Sequence, residues 1–115
     1  MDLLGDQAVL DSNALNGKTA LICGASRGIG AATARIMAKA GANVIIASRS
    51  EGQLKSLLEE LHVLGNGQHQ TLVMDLEKTD SIEHTLQPIL DEGPIHILVN
   101  NAGGPPGGPL LNATV

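Results

Sequence analysis

A doubly wound α/β fold built on a parallel sheet is the fold class that this 115-residue chain predicts, on three observations. Short, almost wholly apolar runs recur along it, of the kind a strand shows when both faces of its sheet are covered. Between them lie segments of helical spacing, long enough to cross from one parallel strand to the next. The first apolar run stops on three glycines, Gly24, Gly28 and Gly30, spaced G-x-x-x-G-x-G, which turns a strand tightly into a helix.

Residues 1–16 mix Asp, Asn, Gly and Ser with a few leucines and hold no period, so a flexible or loosely docked leader is expected there. Lys18 to Cys23 (KTALIC) reads as the first strand and ends at Gly24. From Gly28 the period becomes helical: Ile29, Thr33, Ile36, Met37 and Ala40 share one face, alanines keep the helix slim, and Gly41 stops it. Asn43 to Ala47 (NVIIA) is the second strand, followed by the polar turn Ser48-Arg49-Ser50. Leu54, Leu57, Leu58, Leu61 and Leu64 then mark an amphipathic helix that Gly65-Asn66-Gly67 breaks. Gln70 to Met74 is the third strand, ending at Asp75. Thr79-Asp80 caps a third helix through Leu90, with Ile82, Leu86, Ile89 and Leu90 inward and Pro88 distorting its last turns. Ile95 to Val99 (IHILV) is the fourth strand, closed by Asn100-Asn101-Ala102-Gly103 and a Gly/Pro-rich stretch. Right-handed crossovers put these strands in the order 3-2-1-4.

Composition narrows the function. At 43 % hydrophobic residues, with no long uncharged apolar run, the chain reads as one soluble domain that does not span a membrane. Asp2, Asp6 and Asp11 interrupt the N-terminus where a secretory signal needs a basic and then an apolar stretch, so a cytoplasmic location is expected. The single cysteine and four histidines show no ligand spacing, and no metal is expected. A net charge of −5 argues against a nucleic-acid surface. The chain has no Phe, Trp or Tyr, so no phenol serves it as acid or base and no aromatic ring stacks a base.

In doubly wound sheets ligands bind at the carboxyl ends of the strands, and four candidate segments fall there: Gly24 to Gly30, Ser48-Arg49, Asp75 and Asn100 to Gly103. A helix starting at such a glycine turn points unpaired N–H groups and its positive dipole end at an anion, the arrangement that grips a dinucleotide pyrophosphate. Gly24 permits the turn, Gly28 the approach of backbone to phosphate, and Gly30 the contact of helix with sheet. No Lys-Ser or Lys-Thr follows these glycines, which removes the nucleoside-triphosphatase loop. Where an acidic residue after the second strand would select NAD, this chain has Ser48 and Arg49; with Arg27 in the turn, a guanidinium pair suits the 2′-phosphate of NADP. Asp75 either accepts from an adenine amino group or caps a turn. Asn100 and Asn101 bond neighbouring strand ends or line the cleft floor, and Cys23 is a small buried residue.

These residues together resemble the short-chain dehydrogenase/reductase family from Gly17 to Gly103. The family's T-G-x-x-x-G-[IL]-G, Asp and N-N-A-G motifs correspond to Cys23-Gly24-Ala25-Ser26-Arg27-Gly28-Ile29-Gly30, Asp75-Leu76 and Asn100-Asn101-Ala102-Gly103, with Cys23 replacing the family threonine. Within the family the chain is most similar to the bacterial 3-oxoacyl-acyl-carrier-protein reductase type. The resemblance implies a Rossmann-type fold in which Ser26, Arg27 and Ile29 meet the cofactor phosphates and Arg49 the 2′-phosphate. It also implies that Asp75 and Leu76 meet the adenine, and that Asn100, Ala102 and Gly103 line the ribose on the nicotinamide side. It divides the chain into a leader (1–16), a dinucleotide-binding half-domain (17–103) and a Gly/Pro-rich end (104–115). The family's catalytic serine and Tyr-x-x-x-Lys lie beyond these motifs and have no counterpart here, and Asn112 comes too soon to be its catalytic asparagine. The expected function is the NADP(H)-binding portion of a carbonyl/alcohol oxidoreductase, inactive alone, whose complete form is a homo-oligomer acting on a small-molecule carbonyl or alcohol. The alternatives are a non-catalytic NADP(H)-binding module and a fragment that self-associates through its exposed fourth strand.

Overall fold

The computed structural model describes residues 13–26, 28–75 and 78–101. Strands β1 (Thr19–Cys23), β2 (Asn43–Ser48), β3 (Gln70–Val73) and β4 (Ile97–Asn100) alternate with helices α1 (Gly28–Lys39), α2 (Glu51–Leu64) and α3 (Thr79–Glu92). All strand pairs are parallel and the sheet order is β3-β2-β1-β4, the expected doubly wound order.

The two central strands are apolar from Ala20 to Cys23 and from Val44 to Ala47 because successive residues serve opposite layers. Ile22, Val44 and Ile46 point to one side, where they pack with Ala31, Ala34 and Ala38 of α1 and Leu54, Leu57 and Leu61 of α2. Leu21, Cys23, Ile45 and Ala47 point to the other, against Ile89 and the partly buried Ile82 and Leu86 of α3. Ile22, Ile46, Leu54 and Leu61 are fully buried, each contributing about 1.5–3 kcal/mol of apolar transfer. Among the described residues no helix is long and apolar enough to cross a membrane.

The face that α1 turns to the sheet departs from expectation. Ile29 is 73 % and Ile36 47 % exposed, while Gly30, Ala31, Ala34 and Ala38 are buried. Backbone proximity decides this: a β-carbon on Gly30 would overlap the carbonyl of Gly24, so only small residues fit between α1 and β1. At the other end, Gly41 has φ +99°, with its N–H bonded to the Ala38 carbonyl and the Ala42 N–H to that of Met37, a Schellman stop. The N–H of Leu15 donates to the Ala40 carbonyl at 2.7 Å, and Leu15 packs on the α1/α2 core.

Other boundaries move by one or two residues. The N-cap of α3 is Lys78, not Thr79 or Asp80, and Leu90 is 48 % exposed, not inward. Pro88 lies within α3, which runs on to Glu92. β4 begins at Ile97, because His96 is used to close the amino end of β1: its N–H donates to the Thr19 carbonyl, and its Nδ1 accepts from the Thr19 N–H at 3.0 Å.

Candidate functional site

The carboxyl ends of the four strands form one row. Register places Val73 beside Ser48, Ala47 beside Cys23, and Cys23 beside Asn100. The segments that follow are tied across the same edge. The N–H groups of Gly24 and Ala25 both donate to the Ala47 carbonyl, at 2.8 and 3.2 Å; that of Met74 donates to Ser48 at 2.9 Å and that of Asn101 to Cys23 at 2.9 Å. Thus the glycine turn, Ser48-Arg49, Asp75 and Asn100 share one edge, as a ligand spanning the sheet requires.

In the turn, Gly24 and Gly28 have φ of +77° and +65°, where a side chain is strained. Among the described residues beyond its chain neighbours, nothing lies within 4 Å of where a Gly28 β-carbon would be, so the backbone there is open to that extent. The first turn of α1 carries no acidic residue to compete for its N–H groups, and Ile29 stands exposed at the same end. Ser26 is half-buried in the turn. These features fit a phosphate.

Across from the turn, Ser48 accepts the Ser50 N–H on its hydroxyl oxygen at 3.0 Å, which bends the chain and leaves Arg49 exposed beside it. Ser50 is the N-cap of α2 and makes no side-chain cap bond. Between the helices a polar groove of about 470 Å³ opens beside this turn, lined by Ser26, Arg35, Ser50, Gln53, Ser56 and Glu60. Its outer wall is held by the Arg35 Nε–Glu60 Oε1 pair at 2.7 Å. Both side chains are near half exposed, so the pair contributes little to stability.

Asp75 is half-buried and its carbonyl accepts the Lys78 N–H at 3.0 Å, so its backbone closes the turn before α3. Cys23 is 5 % exposed on the α3 side of β1, and burial pushes its thiol up to about 11. At neutral pH it is an uncharged apolar filler. Arg27, Leu76, Ala102 and Gly103 lie outside the described residues, and no group of metal-ligating side chains forms among those described.

At the opposite, amino-terminal edge stand two histidines whose placement the sequence does not signal. His96 accepts the Thr19 N–H, and His69 accepts the Val44 N–H at 3.2 Å. Partners 77 and 25 residues apart leave no periodic trace.

The family model for short chain dehydrogenases matches residues 18–115. The chain is 48 % identical over 90 residues to a 3-oxoacyl-acyl-carrier-protein reductase of Vibrio harveyi, an alignment covering 77 % of this chain and 35 % of the relative. It superposes with a TM-score of 0.71 on a 3-oxoacyl-acyl-carrier-protein reductase from Agrobacterium tumefaciens with NADP bound. There the identity is 35 %, covering 81 % of this chain and 36 % of that one. An L-sorbose reductase from Gluconobacter frateurii, complexed with NADPH and L-sorbose, superposes at 0.73 with 29 % identity, over 81 % of this chain and 36 % of its own. The chain thus spans about a third of the length of these proteins. With the strand order, the glycine turn and the N-N-A-G sequence that begins at the last residue of β4, these likenesses place the chain in the short-chain dehydrogenase family.

Proposed function

We propose that the chain is the NADP(H)-binding portion of a carbonyl/alcohol oxidoreductase. The observation that carries this reading is the glycine turn with an open face, set on the same sheet edge as Ser48 with Arg49 beside it, where an acidic residue would select NAD. Gly24, Gly28 and Gly30 shape the turn, and Ser26, Arg27 and Ile29 meet the phosphates. Ser48 and Arg49 hold the 2′-phosphate, Asp75 and Leu76 the adenine, and Asn100, Ala102 and Gly103 the ribose next to the nicotinamide. When bound, the cofactor supplies a hydride for a carbonyl carbon. What these residues do is bind and orient it.

The NADP and NADPH bound in two structural relatives support the choice of cofactor. Similarity to the Vibrio reductase supports a 3-oxoacyl thioester as substrate class. The chain has no tyrosine, so on this reading the proton donor comes from protein beyond these 115 residues. The complete protein is read as a cytoplasmic homo-oligomer acting on a small carbonyl or alcohol.

Calorimetric titration of the 115-residue chain tests the reading: NADPH is expected to bind at least about tenfold more tightly than NADH, the worth of one charge-assisted contact. Equal or tighter binding of NADH would remove the role given to Arg49.

A further inference from the structure

We propose that His69 is an acid-sensitive latch that holds the edge strand β3 on the sheet. The imidazole is 7 % exposed, wedged where the connection from α2 enters β3. Its Nδ1 accepts the backbone N–H of Val44, a fully buried residue near the start of β2, at 3.2 Å. An Nδ1 that accepts must be unprotonated, so the ring is neutral with its proton on Nε2. That Nε2 is itself buried and has no hydrogen-bond partner among the described residues.

A second proton has no acceptable place. On Nδ1 it would point at the Val44 N–H, setting donor against donor in a dry site and losing the bond. Against the desolvation of the cation, the described surroundings set the Gly65 backbone. From α2 it faces the ring of His62, with centroids 5.4 Å apart and planes tilted by 51°, which repels it when charged. From β2 it meets the Val44 amide, while Asn43 beside it uses its Oδ1 to accept the Gln68 N–H at 2.8 Å. From the end of α1, the backbone of Ala38 and Ala42 closes on Gly65 and Gly67, where any β-carbon would overlap a carbonyl. Burial therefore lowers the His69 pKa from its ordinary 6.5 and a charged His62 lowers it further. The Gly65 backbone acts in the other direction but makes no hydrogen bond to Nε2 within ordinary geometry.

Protonation must then expel the ring, and the ring is followed directly by β3. That strand has four residues, pairs among the described residues with β2 alone, and has no fully buried residue. What opens is the corner from Gly65 through Val73, and at its far end the Met74-to-Ser48 bond on the cofactor edge loosens with it. The resulting loss of NADP(H) affinity in acid rests on the functional reading above, whereas the latch itself is read with no cofactor present. The sign follows from linkage: the open corner binds the proton at the ordinary 6.5 and the closed one only below that. The closed form is at full strength above 6.5 and weakens as pH falls, the opening constant rising about tenfold per pH unit until the closed-state pKa is reached.

Nuclear magnetic resonance of the full chain between about pH 7.5 and about pH 5 reads this directly. The expected result is a neutral His69 with the proton on Nε2. Protection of the β3 amides, corrected for intrinsic exchange, falls as pH drops below 6.5, by at most about tenfold per pH unit and levelling at the closed-state pKa, while that of β1 holds. His69→Asn places an amide oxygen near the Nδ1 position, keeps the Val44 bond without titrating, and is expected to flatten the dependence. A proton on Nδ1 in the neutral ring, titration of folded His69 at or above 6.5, or an undiminished acid response in His69→Asn would each overturn the latch. Should His69→Asn fail to fold, the tautomer and titration of the unsubstituted chain still decide.

Discussion

Gly30→Ala is expected to cost about 3 kcal/mol of folding stability, at the upper end of overpacking penalties, because its β-carbon would overlap the Gly24 carbonyl and contact Ala25 Cα at 3.1 Å. Those neighbours are backbone, not the flexible end of a side chain, so relief requires α1 to lift from β1. Lifting α1 also pulls Ala31, Ala34 and Ala38 from the core they share with Ile22 and Ile46. Two other glycines calibrate the claim. Gly28→Ala has open space but φ +65°, and should cost only the left-handed penalty of about 1–2 kcal/mol. Gly52→Ala, near the start of α2 with open space and no such φ, should gain about 0.5 kcal/mol. Urea midpoints for the three variants check the order. A Gly30→Ala no worse than Gly28→Ala would mean that space at the α1–β1 crossing is not what requires glycine.

Arg49→Ala is expected to weaken NADPH binding about 10- to 100-fold, the value of hydrogen bonds to a charged group, and to leave NADH binding unchanged. The selectivity follows from the proposed contact, since only NADPH carries the 2′-phosphate. Arg49 is exposed, so the effect should shrink as added salt screens the pair. Arg49→Lys keeps the charge but not the planar donor fork, and should recover part of the loss. Direct binding measurements on both cofactors check this; an equal loss for NADH and NADPH would show that the substitution damages the turn and not a phosphate contact.

Much of the fold is legible in the sequence because the core-forming signal is local. β1 and β2 are apolar at every position where both layers need filling, and Gly24, Gly41 and Gly65 mark the ends of elements as glycine-rich turns do. The α1 face is not legible from apolar spacing. Ile29 and Ile36 are the larger side chains, but the crossing over Gly24 admits only Gly30 and the alanines, a constraint that belongs to the backbone approach and not to hydropathy. The start of α3 is not legible either: its N-cap is Lys78, whose N–H donates to the Asp75 carbonyl and which makes no side-chain cap bond that spacing could signal.

For the candidate site, the alternation of strands and helices is enough to bring four strand ends together, and the structure has them in one row. What the sequence does not carry is how the second edge is closed. His69 and His96 each cap a strand start through a contact set by sheet register, and neither spacing nor composition distinguishes them from His62 or His84 on helix surfaces.

Amide shift mapping during an NADPH titration reads out whether the carboxyl edge of the sheet holds NADP(H), as proposed above. Perturbations are expected at Gly24, Ser26, Gly28, Ile29, Ser48, Arg49, Asp75 and Asn100, with His69, Gln68 and Thr19 at the opposite edge unmoved. Shifts centred on that amino-terminal edge, or none with NADPH at about millimolar concentration, where even weak ligands bind, would contradict it.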